Sequence, residues 1–267
     1  MRTFILLAAI SLILAARGDI SAFDNYPEIK QIIETYSQDY EDKFTKIFKD
    51  GPIYSGDATA YGMPDGGGNC LFPKEEYYND MMLAAINHEQ YVDDLGCGLC
   101  AVVVSTSNDF QPIRVRILDQ CPECAHGSLD LSDKAFKALT NMNPSRVKIT
   151  WALIPCDVEI AGYPALVEKG SKIKFQFKSG SSQWWFQVQI FNTKYPVASV
   201  EVEMNGEFVA LSRELHNYWS KPDGDVGPGP YTFRVTLANS EVIVARNVEM
   251  VVPSNDEGPD YSTGQQD

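Results

Sequence analysis

All cysteines of this chain of 267 residues lie in one stretch, and that stretch must therefore fold as a cross-linked or metal-bound unit. The six are Cys70, Cys97, Cys100, Cys121, Cys124 and Cys156. Two Cys-x2-Cys pairs at this separation are typical of a zinc ribbon, with His126 as a spare ligand. In an oxidising compartment the even number of cysteines favours three disulfides instead.

The N-terminus decides between these alternatives. Arg2 precedes an apolar run over Phe4–Ala16, which is typical of a signal peptide and short for a membrane span. We therefore predict a signal peptide over residues 1–22, with cleavage near Ala16 or Ala22, and a secreted protein. Exported thiols oxidise, so we expect disulfides, no metal and no cofactor.

The charge pattern excludes some partners. A net charge of −14 argues against nucleic acid, whose phosphates require clustered Lys and Arg. No other apolar run predicts a membrane span. Residues 23–50 are predicted to form an amphipathic helix, and residues 255–267 an acidic disordered tail.

Between these ends the sequence predicts two mainly β domains. In residues 51–157, apolar and polar side chains alternate around Ile113 and again around Ile149, which predicts strands. We expect a helix at Met81–Gln90 and another after the N-cap Ser132, which leaves a small closed barrel. Residues 158–254 hold only strand patterns and predict a β-sandwich.

Two carboxylates of the first domain are candidates for chemistry. Asp119 ends an apolar strand and Asp130 follows eleven residues later, so the two could form an acid/base pair in a groove. The alternative is structural. Asp130 would then be a turn residue before the Ser132 cap, and Asp119 would begin a turn.

Two adjacent tryptophans stand out in the second domain. Flat aromatic rings can stack on sugars, and Trp184 and Trp185 follow a turn-like Ser-Ser-Gln segment. Strand parity predicts otherwise, because it places Trp184 in the buried phase of Phe186 and only Trp185 in solvent.

These motifs together resemble expansins over residues 51–252. In the first domain the matching segments are GDATAYG at 56–62, GGNC ending at Cys70, GCGLC at 96–100, DQCP at 119–122 and LDLS at 129–132. In the second they are SSQWW at 181–185, QIFNTKYPV at 189–197 and NG at 205–206.

The resemblance implies a six-stranded double-psi β-barrel followed by an immunoglobulin-like β-sandwich. It also implies binding to cellulose or a related β-glucan, with xyloglucan as a further candidate, and loosening of wall glycans without hydrolysis. Thr59, Tyr61, Asp119 and Asp130 would line the barrel groove, with Asp130 as the proton donor. Asp65 is a further acidic candidate.

The resemblance also implies disulfides Cys70–Cys97, Cys100–Cys156 and Cys121–Cys124. Trp184 and Trp185 would form an aromatic platform. The third platform aromatic of bacterial members falls on His216, so we expect the nearby Tyr218 and Trp219 to contribute.

The predicted function is therefore a secreted, monomeric protein that binds insoluble polysaccharide and loosens it. Two alternatives remain. One is a weak glycoside hydrolase or lytic transglycosylase with Asp130 as the acid. In similar hydrolases the base lies at the position of Met63, which cannot accept a proton, so Asp119 would have to replace it. The other alternative is a purely carbohydrate-binding protein.

Overall fold

A computed structural model of the chain describes residues 18–43, 51–62, 68–73, 81–106, 110–253 and 260–267. These residues form mainly β-strands with few helices. The helices are a 3₁₀ turn at Ile20–Phe23, α1 Pro27–Lys43, α2 His88–Tyr91, α3 Asp133–Thr140 and a second 3₁₀ turn at Leu215–Asn217. The first six strands are β1 Ile53–Tyr61, β2 Leu83–Asn87, β3 Cys100–Ser105, β4 Ile113–Cys121, β5 Leu129–Ser132 and β6 Val147–Ile154.

These six strands close into a barrel in the order β1-β5-β2-β4-β3-β6. Alternate side chains fill its interior, and the largest of them is Trp151, which is fully buried. Its ring packs 4.7 Å from that of Tyr54, and its indole N–H donates to the carbonyl of Gly127 at 2.8 Å. The closed barrel therefore agrees with the alternation in the sequence.

One predicted helix is wrong in its extent. Residues 83–87 form strand β2, whose five residues are all buried, and only the one-turn helix α2 follows. In a short run that is buried on both faces, nearly every residue is apolar, so the spacing of apolar residues does not distinguish a strand from a helix. The second predicted helix is confirmed as α3.

The N-terminal segment packs on the outside of the barrel. Phe23, Ile29 and Ile33 are buried against the outward side chains of β3 and β6, which include Val102 and Ile154. The helix predicted over 23–50 begins at Pro27, after the 3₁₀ turn, and the structure describes it to Lys43. Residues 44–50 lie outside the described part of the chain.

The predicted signal segment 1–22 overlaps this packed region. Gly18 donates its backbone N–H to the carbonyl of Ile53 at 2.8 Å, at the start of β1. Residues 18–22 are thus part of the folded unit, whereas residues 1–17 lie outside the described residues.

The remaining strands form two sheets. They are β7 Lys174–Phe177, β8 Val188–Phe191, β9 Val197–Met204, β10 Glu207–Ala210, β11 Ser212–Glu214, β12 Tyr218–Ser220, β13 Tyr231–Leu237, β14 Val242–Val248 and β15 Gln265–Gln266. One sheet has the order β10-β9-β13-β14-β15 and the other β11-β12-β8-β7. Aromatic rings fill the core between them, and those of Phe175 and Phe233 stack at 5.0 Å.

The prediction of a disordered tail over 255–267 is wrong for its last eight residues. Strand β15 pairs with β14, and Ser262 forms an isolated bridge to Phe175 on the other sheet. The side chain of Gln266 also donates to and accepts from the backbone of Ile173. The tail is ordered because two sheet edges offer unpaired backbone groups to it. Residues 254–259 lie outside the described residues.

All six cysteines are paired in the structure. The disulfides are Cys70–Cys97, Cys100–Cys156 and Cys121–Cys124, the pairing that the resemblance implies. The zinc-ribbon alternative is wrong, because each cysteine of that spacing is already cross-linked. Within the described ranges, no cluster of three or more His, Cys, Asp or Glu side chains could hold a metal ion.

Where the structure describes the chain, it contains no helix with the length and apolar character needed to cross a membrane.

Ser132 links the barrel to α3 and should contribute measurably to stability. Its Oγ accepts the N–H of Ala135 at 3.2 Å and donates to the carbonyl of Met81 at 2.6 Å. We expect Ser132→Ala to lower the free energy of unfolding by about 0.5–2 kcal/mol, the usual cost of losing an N-cap. Urea denaturation measures this. A variant as stable as the original protein would contradict the capping role.

Candidate functional site

A row of residues across four barrel strands brings the two predicted carboxylates to one face. Thr59 on β1 pairs with Asp130 on β5, Asp130 pairs with Ala85 on β2, and Ala85 pairs with Asp119 on β4. Neighbouring strands are about 4.7–4.9 Å apart, so the Cα atoms of Asp119 and Asp130 are about 9–10 Å apart. Asp119 and Asp130 are thus eleven residues apart in the sequence and lie on strands that only β2 separates.

The alternation of burial places Asp130 and Thr59 on the outside of the barrel. Leu129 and Leu131 are fully buried on either side of Asp130, which is half-buried. Thr59 likewise follows the fully buried Ala58. The side chains of Asp130 and Thr59 therefore face a surface groove. Asp130 is a strand residue, so its interpretation as a turn residue is wrong.

Asp130 is held by a short hydrogen bond. The hydroxyl of Thr59 donates to its Oδ1 at 2.5 Å, which stabilises the ionised carboxylate. Burial acts in the opposite direction and is the larger effect, so the pKa of Asp130 is raised above its usual value. Asp130 therefore keeps its proton to a higher pH than a solvated aspartate does.

Asp119 is held differently, by backbone donors. Its Oδ1 accepts the N–H of Asn69 at 2.7 Å and the N–H of Gln120 at 2.8 Å. Asn69 belongs to a separate segment, which the Cys70–Cys97 disulfide ties to the barrel. Asp119 thus has a fixed orientation on the same row as Asp130.

A third acidic residue near the groove was missed by the sequence analysis. Glu123 lies in the short loop closed by the Cys121–Cys124 disulfide, and its charge contributes to the raised pKa of Asp130. The exposed Arg146 acts in the opposite direction. The signal available in the sequence was the position of this loop directly after the strand that carries Asp119.

The other predicted groove residues have different outcomes. Tyr61 ends β1 and lies two residues beyond Thr59 on the same side of the strand, in register with Ser132. It is half-buried at the end of the row. Asp65, and Met63 at the predicted base position, lie outside the described residues.

Both predicted tryptophans are exposed, Trp184 by 66% and Trp185 by 42%. Ser182 and Trp185 exchange backbone hydrogen bonds of 2.7 and 3.1 Å, so Gln183 and Trp184 form a tight turn between them. Strand β8 begins only at Val188. The strand parity that buried Trp184 is wrong because Trp184 precedes the regular strand.

Tyr218 and Trp219 do not join this exposed surface. They are only 2% and 3% exposed, because β12 is an inner strand between β11 and β8. The guanidinium of Arg213 covers Trp219 at 4.3 Å, and the ammonium of Lys178 lies 5.1 Å from the ring of Tyr218. The prediction that they contribute to an exposed platform is therefore wrong.

The second unit contacts the barrel beside the groove. A cavity of about 390 Å³ lies at this junction, between His88 and Gln120 of the barrel and Glu214 and Leu215 of the second unit. Arg213 also lines this cavity, and burial lowers the pKa of its guanidinium to about 10. Asn69 and Gln120, whose backbone N–H groups bind Asp119, also line this cavity.

No family model matches the chain, but several known proteins are similar to it. Expansin-YoaJ of Bacillus subtilis is 27% identical over 196 residues, which cover 72% of this chain and 76% of that protein. Expansin-like protein 1 of Dictyostelium discoideum is 24% identical over 224 residues, 80% of this chain and 72% of that protein. The crystal structure of Clavibacter michiganensis expansin superposes with a TM-score of 0.65 and 26% identity, over 79% of this chain and 95% of that one.

The chain is similar to expansins in sequence and in fold. The likeness to the Clavibacter expansin extends over both the barrel and the two sheets, since it covers 79% of this chain, more than either unit alone. A mutant of the same expansin has been solved in complex with cellohexaose, and it superposes equally well at 25% identity.

Proposed function

We propose that this expansin-like protein is secreted, binds cellulose or a related β-glucan, and loosens contacts between wall polysaccharides without hydrolysis. The observation that carries the proposal is the pair of exposed tryptophans, Trp184 and Trp185, in a chain whose barrel carries the row from Thr59 to Asp119. Two adjacent exposed tryptophans form an apolar patch of the kind that marks a binding surface, and sugar rings stack on aromatic faces. The cellohexaose complex of the Clavibacter expansin supports the choice of glycan.

The proposal extends to the architecture. We take residues 51–157 as a double-psi β-barrel and residues 158–254 as an immunoglobulin-like carbohydrate-binding domain. The packing of Ile20 and Ala22 and the backbone bond of Gly18 support signal cleavage near Ala16 rather than Ala22, since the later site would remove these residues. Action as a monomer, without metal, cofactor, nucleic acid or membrane, stays a prediction.

The absence of hydrolysis is supported by the state of the candidate base. An inverting glycosidase places a free carboxylate about 6.5–9.5 Å from its acid, so that water fits between them. Asp119 lies on the same row of barrel residues as Asp130, but its Oδ1 already accepts hydrogen bonds from two backbone N–H groups. The protein would therefore act through binding and through the proton on Asp130.

The enzymatic alternative rests on one observation of its own. Burial raises the pKa of Asp130, which is the property that a general acid needs. A lytic transglycosylase would need no second carboxylate to activate water. This alternative therefore uses the same acid and differs only in whether a glycosidic bond breaks.

Three measurements on the purified protein separate these functions. Retention on insoluble cellulose tests binding, extension of heat-killed wall strips under load tests loosening, and release of reducing ends from β-glucan tests cleavage. We expect binding and extension without release. Release that keeps pace with extension would favour the enzyme, and binding alone would leave a carbohydrate-binding protein.

Thr59 should set the pH range over which Asp130 is protonated. Its hydroxyl lowers the pKa of Asp130, so Thr59→Val should raise that pKa further. We expect the limb of the extension–pH profile on which activity falls with rising pH to move to higher pH. The titration of the Asp130 carboxyl carbon by NMR should move in the same direction.

The matched variant Thr59→Ser keeps the donor and should leave both curves in place. Identical curves for Thr59→Val and the original protein would contradict this control of Asp130.

A further inference from the structure

Two side chains of the second unit bind the backbone of one short barrel segment. Gln189 on β8 donates from Nε2 to the carbonyl of Cys70 at 2.8 Å, and His216 contacts the carbonyl of Asn69 through Nδ1 at 2.8 Å. A carbonyl oxygen only accepts, so Nδ1 of His216 carries the proton. Gln189 also donates to the carbonyl of His216 at 3.2 Å, which joins the two contacts.

The same segment, residues 68–70, lies directly on strand β4, which carries Asp119. The N–H of Cys70 donates to the carbonyl of Leu118 at 3.1 Å. A Cβ on Gly68 would lie 2.2 Å from that carbonyl oxygen, so only glycine permits this approach. Between these two contacts, the N–H of Asn69 donates to Oδ1 of Asp119. The segment is therefore enclosed between the carboxylate and the second unit.

The backbone of the second unit is left-handed where it makes this contact. His216 and Asn217 are both left-handed, with φ of 63° and 59°. Non-glycine residues in this region cost free energy and persist where the surroundings fix them, commonly near functional sites. Here the conformation brings the His216 ring to Asn69, at the position where bacterial expansins have a platform aromatic.

We propose that His216 and Gln189 are positioning residues that fix the carboxylate of Asp119 through Asn69. The second unit would thus do more than bind the glycan, because it also orients a groove residue of the barrel. This inference rests on the proposed function, since it gives Asp119 a role in loosening. It also assigns His216 a role that is not stacking on a sugar.

The test uses the full chain with two variants. His216→Gly removes the imidazole donor, and glycine adopts the left-handed conformation freely. Gln189→Met keeps much of the volume of this buried side chain and removes its donor. Ser240→Gly is the matched control, because Ser240 is exposed and left-handed at φ 66° in the turn between β13 and β14.

The first readout is amide hydrogen exchange, which does not depend on activity. We expect the Asn69 amide to exchange at least tenfold faster in both variants, with the amides of β3 unchanged and no effect of Ser240→Gly. Wall extension should fall at least threefold while cellulose retention stays within twofold, because Trp184 and Trp185 are untouched.

Each other outcome overturns the inference. Unchanged exchange at Asn69 would show that the contacts position nothing. Equal acceleration across β3 would show a merely structural role. Faster exchange at Asn69 with full wall extension would remove the link to loosening. Should the original protein not extend walls, the proposed function fails, and the exchange data still decide whether the second unit holds Asn69.

Discussion

Asparagine in place of Asp130 is expected to abolish wall extension while cellulose retention remains. The substitution keeps the size of the side chain and an oxygen that can accept from Thr59, so the 2.5 Å hydrogen bond can be retained. It removes the acidic proton, which Asp130 keeps to a higher pH because its pKa is raised. Trp184 and Trp185 lie in the second unit, so binding through their rings should not change.

The same variant should be more stable at neutral pH. Because its pKa is raised in the folded state, Asp130 binds more protons in the folded than in the unfolded chain. Its contribution to the free energy of unfolding therefore falls as the pH rises from 3.8, the usual pKa of an aspartate, through the pKa in the folded state. Asp130→Asn removes this loss, so its melting temperature should exceed that of the original protein at pH 7. The difference should vanish below about pH 3, where both states are protonated.

Asp57, on β1 two residues before Thr59, provides a control because its pKa is shifted in the opposite direction. Its carboxylate pairs with Lys148 at 2.5 Å and with Arg146 at 3.2 Å, and these partners lower its pKa. Asp57→Asn should therefore lower the melting temperature at neutral pH and leave it unchanged in strong acid. A stable Asp130→Asn protein with full wall extension would end the role of Asp130.

The sequence predicted elements well where one period operates along a segment. Ile113, Val115 and Ile117 alternate with arginines and form β4 as predicted, and Ser132 caps α3. Strand β2 was misread because its residues face apolar surroundings on both sides, which erases the alternation. Periodicity reports the environment of a segment, and it is uninformative where that environment is uniform.

The candidate site was harder to predict, because its residues meet through strand order. No local pattern indicates that β2 lies between β4 and β5, and that order determines the spacing of Asp119 and Asp130. The same holds for Tyr218 and Trp219, whose burial depends on which strands flank β12. The resemblance to expansins nevertheless predicted that Asp119 and Asp130 lie in one groove. It did not predict the burial of Tyr218 and Trp219, because the sequence departs from the family at His216.

Each tryptophan of the exposed pair should be removable without unfolding the protein. The turn from Ser182 to Trp185 is held by backbone hydrogen bonds, which do not depend on the indole rings. We expect Trp184→Ala and Trp185→Ala to retain their melting temperatures within a few degrees. Stacking of bases on aromatic rings contributes about 1–3 kcal/mol per ring, and a similar value for sugars predicts roughly tenfold weaker cellulose retention for each variant.

Trp219→Ala is the comparison variant, because it removes a tryptophan that is buried in the same unit. With Trp219 only 3% exposed and packed under Arg213, its removal should cost about 3–5 kcal/mol of stability. Urea denaturation and cellulose depletion on the three variants then separate the two roles of tryptophan in this unit. A Trp184→Ala protein that unfolds near room temperature would show that Trp184 belongs to the core, because a ring that is 66% exposed cannot contribute so much stability. Folded variants that bind cellulose as tightly as the original protein would move the glycan surface away from this turn.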